Sequence, residues 1–99
     1  MNEPKQHGID VELSAEVAQG HYSNLAIISH STSEFIIDFA AILPGLPKAN
    51  VKSRIILTPE HAKRLLLSLQ ENIARYESNV GRIELQQPQM AAAFPQKLN

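Results

Sequence analysis

Ninety-nine residues without a cysteine exclude a disulfide scaffold, a thiolate nucleophile and a cysteine-type zinc site. A net charge of −1 and a pI near 6.4 argue against general affinity for polyanions. Apolar content of 43% suits one soluble globular domain, and most of it lies between Leu25 and Leu69.

Residues 1–8 are polar, include Pro4 and Gly8, and read as a flexible arm without the apolar stretch of a signal peptide. Ile9-Asp10-Val11-Glu12-Leu13 alternates apolar with acidic residues, the pattern of a first strand whose carboxylates face water. Ser14 to Gly20 allows a turn, a wide bulge or one helical turn, and Ser14 ahead of Val17 and Ala18 favours the helical turn. His21 to Ser29 reads as the second strand, His30-Ser31-Thr32-Ser33 as a loop, and Glu34 to Leu43 as the third strand. Pro44-Gly45-Leu46-Pro47 stops that strand, since proline donates nothing to a ladder and glycine opens the turn.

In the fourth strand, Val51 to Thr58, the residues Val51, Ser53, Ile55 and Leu57 alternate with Lys52, Arg54 and Ile56. Thr58-Pro59-Glu60 then supplies an N-cap hydroxyl, a first helical residue with φ already set, and an acid in the first turn. The helix is expected to run from Pro59 to about Ser78, with Gly81 or Asn79 as its stop. Leu65, Leu66, Leu69, Ile73 and Tyr76 recur along it at three- and four-residue steps, and Leu67 and Ala74 widen the stripe. The stripe reads as core, with a partner helix as the alternative. Residues 82–99 are biased to glutamine, alanine and proline and are expected to form a disordered tail; a docking motif around Phe94 is the alternative.

The expected fold is therefore α+β, a four-stranded antiparallel β-meander followed by one long C-terminal amphipathic helix (β-β-β-β-α), in a single domain over residues 9–81. Centring the last hairpin on Pro47 pairs Leu43 with Val51, Ala41 with Ser53, Phe39 with Ile55 and Ile37 with Leu57. That face should meet the helix. The opposite face then carries Ile36, Asp38, Ala40 and Ile42 beside Lys52, Arg54 and Ile56. For the preceding hairpin the register stays open, with Phe35 opposite either Ile28 or Ile27. In both registers the second strand is apolar on both sides, Leu25 and Ile27 on one and Ala26 and Ile28 on the other. One helix covers only one face, so a second copy of the sheet is expected to cover the other, giving a two-fold dimer.

Asp38 is the most suggestive acid, because it interrupts the apolar run Phe35 to Leu43. A catalytic carboxylate wants a second carboxylate or a histidine nearby, and the register instead offers Arg54 as a diagonal neighbour, with Lys52 further along. An ion pair between Asp38 and Arg54, at the dimer interface, is the reading preferred. Of the histidines His7, His21, His30 and His61, the second and third stand on the order of 30 Å apart on one strand at ~3.3 Å per residue. No metal site is expected. Ser29, Ser31 and Ser33 flank His30 but lack the base and orienting group of a nucleophilic site. No phosphate loop or nucleotide fingerprint is present, so neither a cofactor nor a catalytic residue is expected, and the chain reads as not an enzyme. Lys52, Arg54, Lys63 and Arg64 form a candidate basic patch, while Glu3, Asp10, Glu12 and Glu16 make the N-terminus acidic; the two surfaces should attract within the fold or across a dimer.

Tyr22-Ser23-Asn24-Leu25-Ala26, His30-Ser31, Glu34-Phe35-Ile36-Ile37-Asp38-Phe39 and Pro44-Gly45 resemble the motifs of a bacterial family of small proteins of unknown function. So does the longer run Ser53-Arg54-Ile55-Ile56-Leu57-Thr58-Pro59-Glu60-His61-Ala62-Lys63-Arg64-Leu65, followed by Asn72 and Tyr76-Glu77. The resemblance covers Ile9 to Glu77 and implies a short, cysteine-poor cytoplasmic protein, with no activity or site residue to carry over. It also supports treating the two ends as appendages. The function expected is that of a non-enzymatic, homodimeric protein-interaction module in the cytoplasm, binding itself and an unknown protein and no membrane. One alternative is a nucleic-acid-binding protein that uses the Lys52, Arg54, Lys63 and Arg64 patch. A small chaperone-like protein that holds unfolded clients is another.

Overall fold

A computed structural model describes residues 8–86. The expected flexible arm apart from Gly8, the greater part of the expected tail, His7 and the stretch around Phe94 lie outside the described residues. Five elements follow in chain order: α1 (Ala15–Ala18), β1 (Leu25–His30), β2 (Phe35–Ala41), β3 (Asn50–Leu57) and α2 (Pro59–Asn79). The fold is α+β, with an antiparallel sheet of order β1-β2-β3 and a long C-terminal helix.

The helical turn expected after Ser14 forms as α1, capped where the Ser14 hydroxyl accepts the Val17 N–H at 3.2 Å. Ile9–Leu13, expected as the first of four strands, forms none among the described residues, and no backbone hydrogen bond ties it to them. Alternation marks which side chains share a face; a strand also needs a free edge within reach. Here α1 and Gly20, at φ +74°, intervene before β1 begins.

At the start of β1 the ladder is extended by side chains rather than backbone. Asn24 donates through Nδ2 to the Ile42 carbonyl at 3.0 Å and accepts the Ile42 N–H on Oδ1 at 2.8 Å. Ser23 Oγ donates to the carbonyls of Ala40 and Leu25, at 3.0 and 3.1 Å. The strand expected from His21 thus starts at Leu25, behind this clamp. The hairpin from β1 to β2 sets His30 opposite Phe35 and Ile28 opposite Ile37. Ser31 N–H donates to the Glu34 carbonyl at 2.9 Å, which closes the loop on Thr32-Ser33. That register lies two residues from one of the two left open by the sequence, and a slip of two keeps each side chain on its face.

The β2–β3 pairing is likewise displaced by two residues: Phe35 opposes Leu57, Ile37 opposes Ile55 and Asp38 opposes Arg54. A bulge between Phe39 and Ala40 then leaves Lys52 without an opposite residue, since Phe39 pairs with Ser53 and Ala40 with Val51. The displacement follows from the turn. Leu46 N–H donates to the Leu43 carbonyl at 3.3 Å around Pro44-Gly45, with Gly45 at φ +83°, so the chain reverses earlier than Pro47.

At the next junction Thr58 Oγ1 accepts the His61 N–H at 3.3 Å, and Pro59 opens α2 as expected. Yet α2 meets the sheet chiefly along β3, and none of its residues is buried. The core among the described residues is Ile37, Ala40 and Ala41 on β2 alone. Asn24→Ala should remove both bonds to Ile42 and lower unfolding free energy by about 1 kcal/mol in a urea titration. An unchanged midpoint would show that the clamp is dispensable.

Candidate interaction surface

Asp38 and Arg54 face each other directly across β2 and β3, not diagonally as the sequence register had them. The guanidinium grips both carboxylate oxygens, Nε to Oδ1 at 2.7 Å and Nη2 to Oδ2 at 2.9 Å. The Asp38 side chain keeps 14% of its surface exposed and that of Arg54 keeps 59%. The hydrogen bonds and charge of Arg54 hold the Asp38 carboxyl below its ordinary range against partial desolvation, and Asp38 raises the guanidinium in return. Both oxygens are thereby engaged within one chain. Such a carboxylate locks a register and is poorly placed to take a proton.

Of the candidate basic patch, Arg54 is occupied by Asp38, and Arg64 reaches Glu60 at 2.8 Å one helical turn away. Lys52, at the bulge, and Lys63 carry no ion pair among the described residues. The structure does not gather the four into one patch: Arg54 lies on the sheet face with Asp38, whereas Lys63 lines the opposite face with Ile37. His30 stacks on Phe35 with ring centroids 5.1 Å apart, and no group of three metal-ligating side chains gathers among the described residues. The Ser31 hydroxyl accepts the N–H groups of Ser33 and Glu34, at 3.1 and 3.3 Å, so it serves the turn.

An open groove of about 580 Å³ lies between the sheet and the first half of α2. Ile28, Phe35 and Ile37 form its floor, Leu65, Leu66 and Leu69 its helical wall, and Lys63 is its one charged lining residue. The pairing of Ile28 with Ile37 and the two-residue step from Phe35 to Ile37 put the floor on one face of the sheet. The helical stripe read as core is in fact the wall of this groove and its continuation, with Leu69 53% and Tyr76 50% exposed.

The family model described as a protein of unknown function, DUF3467, matches residues 1–85. The chain belongs to the DUF3467 family. No curated protein and no solved structure matches it. Among the described residues of this DUF3467 chain, no helix is long and apolar enough to cross a membrane. The sequence reading missed two features of the DUF3467 fold. The Ser23-Asn24 clamp had a signal in the preference of serine and asparagine for bonding nearby backbone. The groove had one in a helical stripe too wide for a single contact line.

Because the Asp38 carboxyl is depressed in the folded state, its contribution is present above its unfolded value near ~3.9 and fades as pH falls through the lower folded value. Asp38→Asn should therefore narrow the gap in urea midpoint between pH 6 and pH 3. An identical pH profile in the variant would mean the pair contributes nothing.

Proposed function

We propose that this DUF3467 protein is a cytoplasmic, non-enzymatic homodimer that serves as a protein-interaction module. One observation carries the proposal: twenty large apolar side chains are exposed among the described residues, against a buried core of Ile37, Ala40 and Ala41. Ile28, Leu65, Leu66 and Leu69 among them gather around one groove, and an apolar patch of that kind marks an interface. A second copy is the simplest partner, because it is present at the same concentration and a two-fold axis matches each patch with itself.

Several observations support the non-enzymatic part of the reading. Asp38 is fully engaged by Arg54, the Ser31 hydroxyl is used in a turn, and the groove is lined almost wholly by hydrocarbon. The cytoplasm fits a chain with no cysteine. Binding of nucleic acid draws less support, since two of the four patch cations already have carboxylate partners. The chaperone-like reading shares the exposed surface but keeps it open in the native assembly, whereas a closed dimer hides it.

A dimer that folds as it associates gains stability with concentration. Raising the protein tenfold should lift the thermal midpoint by about 4 °C. Native protein at the higher concentration should also fail to brighten an apolar-surface dye. A midpoint independent of concentration would overturn the dimer, and strong dye binding by a stable dimer would favour the client-holding reading.

A further inference from the structure

We infer that two copies join through their α2 helices, packed antiparallel about an axis at the level of Glu71, beside Gln70, so that the second half of each helix fills the groove of the other. The inference rests on the homodimer reading and gives it a geometry.

Three observations converge on that geometry. Ala62, Leu66, Leu69, Ile73, Tyr76 and Val80 follow one another at steps of four, three, four, three and four, the rhythm of a two-helix seam. The last five are 40–69% exposed, so the seam has no cover within the chain. The spacing alone also suits a helix packed on its own sheet; the exposure of these side chains is what leaves them free for a partner.

The groove adds direction. It lies along the first half of α2, where Leu66 and Leu69 form its wall, while Ile73 and Tyr76 continue past it. Parallel helices would set groove against groove and leave both distal halves without sheet to pack on. Antiparallel helices place Ile73 of the partner subunit on Leu69 and Tyr76 of the partner subunit on Leu66. The apolar element that each groove lacks is thus the element that the other copy leaves bare.

Charge fixes the same register independently. The residues beside the seam are Lys63, Gln70 and Glu77, spaced evenly with Gln70 at the centre. Lys63 has no ion pair among the described residues, and Glu77 accepts only the Ile83 N–H, at 3.0 Å. In the antiparallel register that seats Leu69 against Ile73, flanking residues meet across the axis as Lys63 with Glu77 and Gln70 with itself. Two unpaired opposite charges become two interchain pairs. Arg64 and Arg75, which lie off this line, are already bound to Glu60 and Glu71 on their own helix.

Because the natural chain has no cysteine, single-cysteine variants of the full chain report this geometry directly. Gln70→Cys, Lys63→Cys and Glu77→Cys would each be treated with a bismaleimide spanning about 10 Å, alongside sedimentation of the untreated proteins. The two copies of position 63 should lie about 24 Å apart along the helix axis, from the ~1.5 Å rise per residue. Gln70→Cys should therefore link to itself at least tenfold more than Lys63→Cys, and a mixture of Lys63→Cys with Glu77→Cys should link across. Equal self-linking at positions 63 and 70 would overturn the antiparallel arrangement. Dimers that sediment as such, with Gln70→Cys unlinked, would overturn the helix seam and leave the homodimer standing. Lone protomers would overturn both.

Discussion

One helix cannot shield a sheet it touches mainly along a single strand. That constraint shapes everything else in this chain. Folding must offset a conformational entropy cost on the order of 1–2 kcal/mol per ordered residue, mostly by removing apolar surface from water. Here the described chain buries only Ile37, Ala40 and Ala41, all from β2, while α2 stands off the sheet with no buried residue. Net stabilities are small differences between large terms, and so thin a core is the ground on which pairing with a second copy is proposed.

The polar interactions act mainly as locators. Asp38 and Arg54, directly opposed, select one pairing of β2 with β3, because a slip of one residue would carry the two groups to opposite faces. The Ser23-Asn24 clamp does the same for the entry to β1, and the Thr58 hydroxyl and Pro59 set where α2 begins. Each of these is local and satisfied within the chain. The apolar surface is the one feature that is not, which is why the functional reading rests on it rather than on any polar site.

Much of this architecture was legible in the residues. The strand-to-helix switch at Thr58-Pro59 appears where its chemistry puts it, since both the cap and the fixed φ are local properties. From Phe35 to Phe39 and from Ser53 to Leu57 the face of each residue was also legible, because slips of two preserve it even though the expected β2–β3 register was two residues out. The bulge moves Val51 to the other face, and for β1 the choice had stayed open. What failed was whatever depends on distant partners. Ile9–Leu13 has the alternation of a strand and forms none, because alternation carries no information about an available edge. The ion pair at Asp38 was recognisable as a pair, but its direct opposition depended on a turn at Pro44-Gly45 that was expected to centre on Pro47. For the interaction surface, the sequence pointed to the second face of the sheet. Leu25 and Ile27 on that face are half-buried and Ile56 is 56% exposed, while α2 and its groove present a second exposed apolar surface that the strand pattern did not single out.

The molar mass of the full chain in dilute solution tests the central claim most directly. Sedimentation velocity at micromolar concentration should give a single species of twice the 11.0 kDa of one chain. A folded species at 11.0 kDa, showing native helix and sheet signals with its groove open to water, would contradict it.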